Sequence, residues 1–123
     1  MRVLLSIKPE FAEKILDGEK KFEFRKAVFK NPDVTTVVIY ATMPVGKVVG
    51  EFEIGAILSA RPHDVWKKTS DFAGITRRFF NQYFRGRTTA YAIEVKAVRK
   101  YEKPLALSNV LPTNVAPQSF CYL

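Results

Sequence analysis

The sequence predicts an α+β fold, a small β-barrel carrying about three helices, with residues 1–123 forming one domain. Three observations predict it. Most of the chain falls into short β-branched or alternating apolar runs, as half-buried strands do. Glycines punctuate those runs where a curving sheet needs bends. Three stretches recur at helical spacing, and they interrupt the strands irregularly, unlike the regular alternation of a doubly wound sheet. A chain of 123 residues can bury one core and has no room for a second fold.

Val3 to Ile7 reads as a buried strand. Pro9 suits the first position of a helix in which Phe11, Ala12, Ile15 and Leu16 share a face, and Gly18 closes it as a left-handed cap. Lys8 then holds the N-cap, where Ser, Thr, Asp or Asn would serve better, which hints at another task for it. Lys21 to Arg25 alternates, with Phe22 and Phe24 on one face and Lys21, Glu23 and Arg25 on the other. A loop over 26–33 turns at Asn31-Pro32-Asp33. Thr36 to Thr42 forms a strand ended by Pro44, and Lys47 to Leu58 a longer one, with Gly46, Gly50 and Gly55 as bulge or bend positions. Helices are predicted over Pro62 to Thr69 and Ile75 to Phe84. Thr88 to Tyr101 is the longest strand. Beyond it Pro104, Pro112 and Pro117 make the tail a loop, until Phe120 to Leu123 returns as a short strand.

Twenty Lys and Arg against 12 Asp and Glu leave a formal charge of +8. That excess favours polyanionic partners, RNA or nucleotides, through phosphate neutralisation. No apolar run can span a bilayer and Arg2-Val3-Leu4-Leu5 is no signal core, so no membrane partner and a cytoplasmic location are expected. Cys121 is the one cysteine and His63 the one histidine, so no internal disulfide, metal cluster or cofactor is expected. Cys121 reads as a small apolar residue on an edge strand; a nucleophilic role would need His63 brought to it by folding.

Two constellations could carry chemistry. Arg77, Arg78, Arg85 and Arg87, with no acid among them, interleave with Phe79, Phe80, Tyr83 and Phe84, which suits phosphate contact and base stacking. Ile75, Phe79 and Tyr83 also fall at i, i+4, i+8, which reads as a core stripe with the arginines left outside as a phosphate-binding flank. The second is Gly18-Glu19-Lys20-Lys21-Phe22-Glu23-Phe24-Arg25. Arg25 could orient an ionised Glu23, and Lys20 could bind a phosphate or, if desolvated, act as a base. By pattern alone, an exposed charged strand face accounts for the same residues. In either case Lys20→Ala and Glu23→Gln are expected to change stability by less than about 0.5 kcal/mol.

The stretch from Leu5-Ser6-Ile7-Lys8-Pro9 through Arg25 is similar to the signature of the ASCH domain family, G-x-K-x-x-E-x-R. The similarity continues through Tyr40-Ala41-Thr42, Val48-Val49-Gly50-Glu51-Phe52, Ala90-Tyr91-Ala92-Ile93 and Pro117-Gln118-Ser119-Phe120, and so covers nearly the whole chain. The resemblance implies a PUA-like barrel with a cleft for RNA or a modified nucleoside, serving as a regulator or reader. It implies Lys8, Lys20, Glu23 and Arg25 in that cleft, with Thr42, Gln118 and Ser119 as further ligand-binding residues. It also admits an enzyme. Family amidohydrolases that deacetylate N4-acetylcytidine have a lysine matching Lys20 and an arginine matching Arg25. They carry a catalytic threonine where this chain has Glu23, and a catalytic glutamate from a region where this chain offers Asp71. Other members resemble ribonucleases. In an enzyme Lys20 would be the base or charge stabiliser and Glu23 the proton-transfer group. A protein-interaction module is the third reading, carried by the aromatic content.

Overall fold

Two apolar runs without alternation, Val3–Leu5 and Val37–Ala41, mark strands covered on both faces, and they become the centre of the sheet. The computed structural model describes all residues from Met1 to Leu123. Its elements follow in the order β1 (Arg2–Ile7), α1 (Pro9–Leu16), β2 (Phe22–Arg25), β3 (Thr36–Ala41), β4 (Lys47–Ala60), α2 (Pro62–Thr69), α3 (Arg77–Tyr83), β5 (Ala90–Leu105) and β6 (Phe120–Tyr122). The six strands form one sheet in the order β2-β5-β4-β3-β1-β6. The β1–β3 pair is parallel and the other pairs are antiparallel. The sheet curls into a half-barrel. The expected barrel is therefore open, because β2 and β6 remain as unpaired edges.

Register irregularities bend the long β4–β5 ribbon near Gly50 and Gly55, where the sequence marks bends. Gly46 makes its bend just before the strand, at φ +61. One face of β1 and β3 packs under α1 as a core that includes Val3, Leu5, Ile15, Val37, Ile39 and Phe52. The opposite face, with Leu4, Val38 and Val48, is covered by Leu107 and the tail. A third cluster joins Phe24 of β2 to Val65 of α2 and to Phe80 and Phe84. No helix is long and apolar enough to cross a membrane.

Three expectations are corrected. The strand expected to stop at Tyr101 runs through Pro104 to Leu105. β2 pairs only with Tyr91 to Glu94 of β5, so beyond that point one side of β5 is an open edge, where a residue without an N–H is tolerated. Helix α3 begins at Arg77, not Ile75, because Thr76 caps it: its hydroxyl accepts the Phe79 N–H at 3.0 Å. The core face of α3 also differs. Phe80 and Phe84 are buried against Trp66 and Phe24, whereas Ile75, Phe79 and Tyr83 are half-buried, with Ile75 and Tyr83 packed at the margin of the same cluster.

Candidate functional site

Between the edge strand β2, the end of β1 and helix α3 lies a cavity of about 380 Å³. It is lined by Lys8, Lys20, Glu23, Arg25, Thr42 and Gln118, all singled out in the sequence, together with Ser6, Ile7, Phe11, Phe24, Ile75, Phe79 and Tyr83. Its size and mixed lining are those of a small-ligand pocket.

Lys20 reaches it through a local device. Gly18, at φ +84, turns the chain out of α1, and Lys20 enters the interior with only 1% of its surface exposed. Its ammonium donates to the Ala73 carbonyl at 2.6 Å and stands 4.6 Å from the centre of the Phe24 ring. Desolvation pulls its pKa from the ordinary 10.5 down to about 8; the Glu23 charge opposes that fall and Lys14 adds to it. Such an amine can take or release a proton near neutral pH. The seat depends on Gly74, which has φ +67 and presses against the Lys20 stem: a Cβ there would lie 2.5 Å from the Lys20 Cβ and 2.6 Å from its Cγ. Gly74→Ala is expected to cost about 1–2 kcal/mol for the left-handed backbone alone and to push Lys20 out of place. A urea titration paired with a ligand titration checks both. Parent-like stability and affinity would show that the seat is unnecessary.

Glu23 and Arg25 are 5% and 9% exposed, which replaces the solvated strand face that the alternation alone allows. Side chains buried this deeply do not fit the small stability changes expected for Lys20→Ala and Glu23→Gln, which are typical of surface substitutions. Arg25 Nη1 donates to the Glu23 carboxylate and to the Ser6 carbonyl, each at 3.2 Å. Its Nη2 donates to the Ser119 carbonyl and hydroxyl, each at 3.0 Å. Both terminal nitrogens are thus occupied by protein, and the guanidinium ties the β2 edge to β1 and to the tail just before β6. Ser6 adds a hydrogen bond from its hydroxyl to the Pro117 carbonyl at 2.6 Å.

The aromatic wall is the part that sequence reasoning assigned to the core. Phe79 and Tyr83 lie nearly parallel, 12° between planes and 6.4 Å between centres. Lys8 stands 5.5 Å from the Phe79 ring centre and Lys26 4.8 Å from that of Tyr83. Burial pushes the Tyr83 phenol up, against the pull of the Arg25 charge. The available signal was the doubling of aromatics on α3: Phe79-Phe80 and Tyr83-Phe84 make two adjacent i, i+4 stripes, an apolar face wide enough to meet the core on one side and a cavity on the other.

Ser119 serves the Arg25 clamp and does not line the cavity. Arg77, Arg78, Arg85 and Arg87 are exposed and lie outside the lining. Asp71 is exposed in the 3-10 turn Ser70–Phe72. Cys121 is half-buried on β6 and burial pushes its thiol up, while His63 is on α2, which packs on β4 and β5. No cluster of three His, Cys, Asp or Glu side chains forms.

A curled half-barrel with a cleft opening at its signature strand is a PUA-like fold. The chain belongs to the ASCH domain family, whose model matches residues 5–105. It is similar to the crystal structure of ASCH from Zymomonas mobilis, with a TM-score of 0.90, 28% identity, 99% of this chain covered and 87% of the other. An ASCH domain-containing ribonuclease of that organism is 32% identical over 72% of this chain and 60% of its own length. The large ribosomal subunit protein uL22 of Ureaplasma parvum is 32% identical over 98% of this chain, which spans only 39% of that protein.

Proposed function

We propose that this chain binds RNA or a nucleoside, modified or not, in the cavity between β2 and α3, as a regulator or reader in the cytoplasm. The whole of residues 1–123 acts as one domain in this reading. The observation that carries it is an aromatic wall, Phe79 and Tyr83, facing a buried amine and carboxylate, Lys20 and Glu23. A flat base can stack on the first and have its polar edge read by the second. Lys8, Thr42 and Gln118 serve as further contacts, and Arg25 and Ser119 hold the site in shape. Arg77, Arg78, Arg85 and Arg87 form the basic flank for a longer strand. The test is a thermal-shift series against nucleosides and nucleotides, including acetylated and methylated ones. A ligand at 100 times its Kd stabilises by about 2.7 kcal/mol. Glu23→Gln and Lys20→Met are expected to weaken binding tenfold or more, since a charge-assisted hydrogen bond is worth about 1.5–3 kcal/mol. No shift with any of these compounds would refute the reading.

One observation favours a second reading. An amine held near pKa 8 beside a carboxylate is equipped for proton transfer, and a relative carries the name ribonuclease. Cleavage of labelled single-stranded RNA that rises with pH through about 8 and vanishes in Lys20→Met would establish it; binding without turnover leaves the reader.

A further inference from the structure

The aromatic wall carries a cation at each end. At the Phe79 end, exposed Lys8 places its ammonium 5.5 Å from the ring centre, although its position at the head of α1 calls for a capping side chain and it makes no capping bond. At the Tyr83 end, exposed Lys26 stands 4.8 Å from the ring centre. Arg87 is close enough for its charge to bear on the Tyr83 phenol. Neither lysine has an acidic partner. The two rings sit four residues apart on one helix, a separation of about 6 Å along its axis.

A lone base needs no positive charge at either end of its stacking surface. A nucleotide inside a strand differs, because it carries one phosphate before it and one after it. Binding sites for single strands pair stacking rings with cations that follow the backbone in this way. We infer that the cavity takes an internal nucleotide of single-stranded RNA, its base on Phe79 and Tyr83, one flanking phosphate at Lys8 and the other at Lys26 and Arg87. The inference rests on the proposed base-binding function and extends it to the backbone. Both lysines have long flexible stems, so each ammonium can swing from its ring to a phosphate and leave the ring face to the base.

The test titrates the full chain calorimetrically with the nucleoside, the 5′-monophosphate and the trinucleotide of each of the four bases. For at least one base the trinucleotide should bind ten times or more tighter than the nucleoside. Its affinity should fall with salt on a log–log plot with a slope of about −1.4, at about 0.7 per phosphate contact on a single strand. Lys26→Ala combined with Arg87→Ala should remove about 0.7 of that slope while leaving nucleoside affinity within about twofold, and Lys8→Ala should remove the other 0.7 or so. A nucleoside that binds as tightly as its trinucleotide, with no salt dependence, overturns the inference and leaves the base pocket standing. Trinucleotides that fail to bind at all overturn it as well, and if every nucleoside also fails, modified ones included, the base pocket falls with it.

Discussion

Replacing Arg25 with alanine should destabilise the protein by about 3–5 kcal/mol, the usual cost of removing one partner from a buried ion pair. The argument is geometric. Glu23 is 5% exposed and its salt bridge is to Arg25, at 3.2 Å. Without the guanidinium its carboxylate remains in the interior stripped of its salt-bridge partner, and the Ser6 and Ser119 carbonyls each lose a donor. The loss falls where the half-barrel is open, since the same side chain links the β2 edge to the segment leading into the opposite edge, β6. Urea unfolding measures the effect, and a second variant gives it its meaning. If the unpaired carboxylate dominates, Arg25→Ala combined with Glu23→Gln should recover a sizeable part of the loss, a coupling that two independent sites would not show. Arg25→Lys should fall between, because one ammonium cannot reproduce the fork that reaches Ser6, Glu23 and Ser119 together. A loss below about 1 kcal/mol in the single alanine variant, the range of solvent-screened surface pairs, would rule out the clamp.

What the sequence made legible was local. Pro9 and Gly18 bracket α1, β-branched runs mark β1 and β3, and the alternation of Phe22 and Phe24 with Glu23 and Arg25 sets β2. What it hid depends on segments far along the chain. Lys20 is buried by a carbonyl 53 residues away, and Arg25 is held by a serine 94 residues away. Alternating charges therefore read equally well as surface until α3 and the tail close over them. The face of α3 was hidden for a different reason. Its two aromatic stripes are equivalent in spacing, and only the shape of the neighbouring sheet decides that Phe80 and Phe84 pack inward while Phe79 and Tyr83 line the cavity. Pro104 misled for a third reason: whether a proline ends a strand depends on whether its edge is paired, which is a property of the sheet. The family signature identified Lys20, Glu23 and Arg25 together but not their division of labour, in which all three line the cavity and the arginine is bound up in the scaffold.

Lys20 should leave a visible mark on the dependence of stability on pH. Its pKa falls from 10.5 to about 8 on folding, so between those values the unfolded chain binds more protons than the folded one. Stability then rises with pH across that window, and the penalty for burying the charge is fully present below about pH 8. The full shift corresponds to about 3 kcal/mol. Lys20→Met keeps most of the stem's volume and removes the charge, leaving the Ala73 carbonyl without its donor at a cost of about 1–3 kcal/mol. At pH 7 the variant should therefore be at least as stable as the parent, even though the proposed function has it bind tenfold or more weakly. Raising the pH from 7.5 to 10 should let the parent gain about 2 kcal/mol relative to the variant. Other groups act in the opposite sense. Burial raises the Cys121 thiol and pushes the Tyr101 phenol up to about 12, so both favour the folded state less as their unfolded counterparts ionise. Those contributions are common to the two proteins and cancel in the difference. Urea midpoints at half-unit pH steps give that difference directly. A gap that stays constant from pH 7.5 to 10 would mean that Lys20 titrates as an ordinary surface lysine, and the proton-transfer chemistry assigned to it would have no basis.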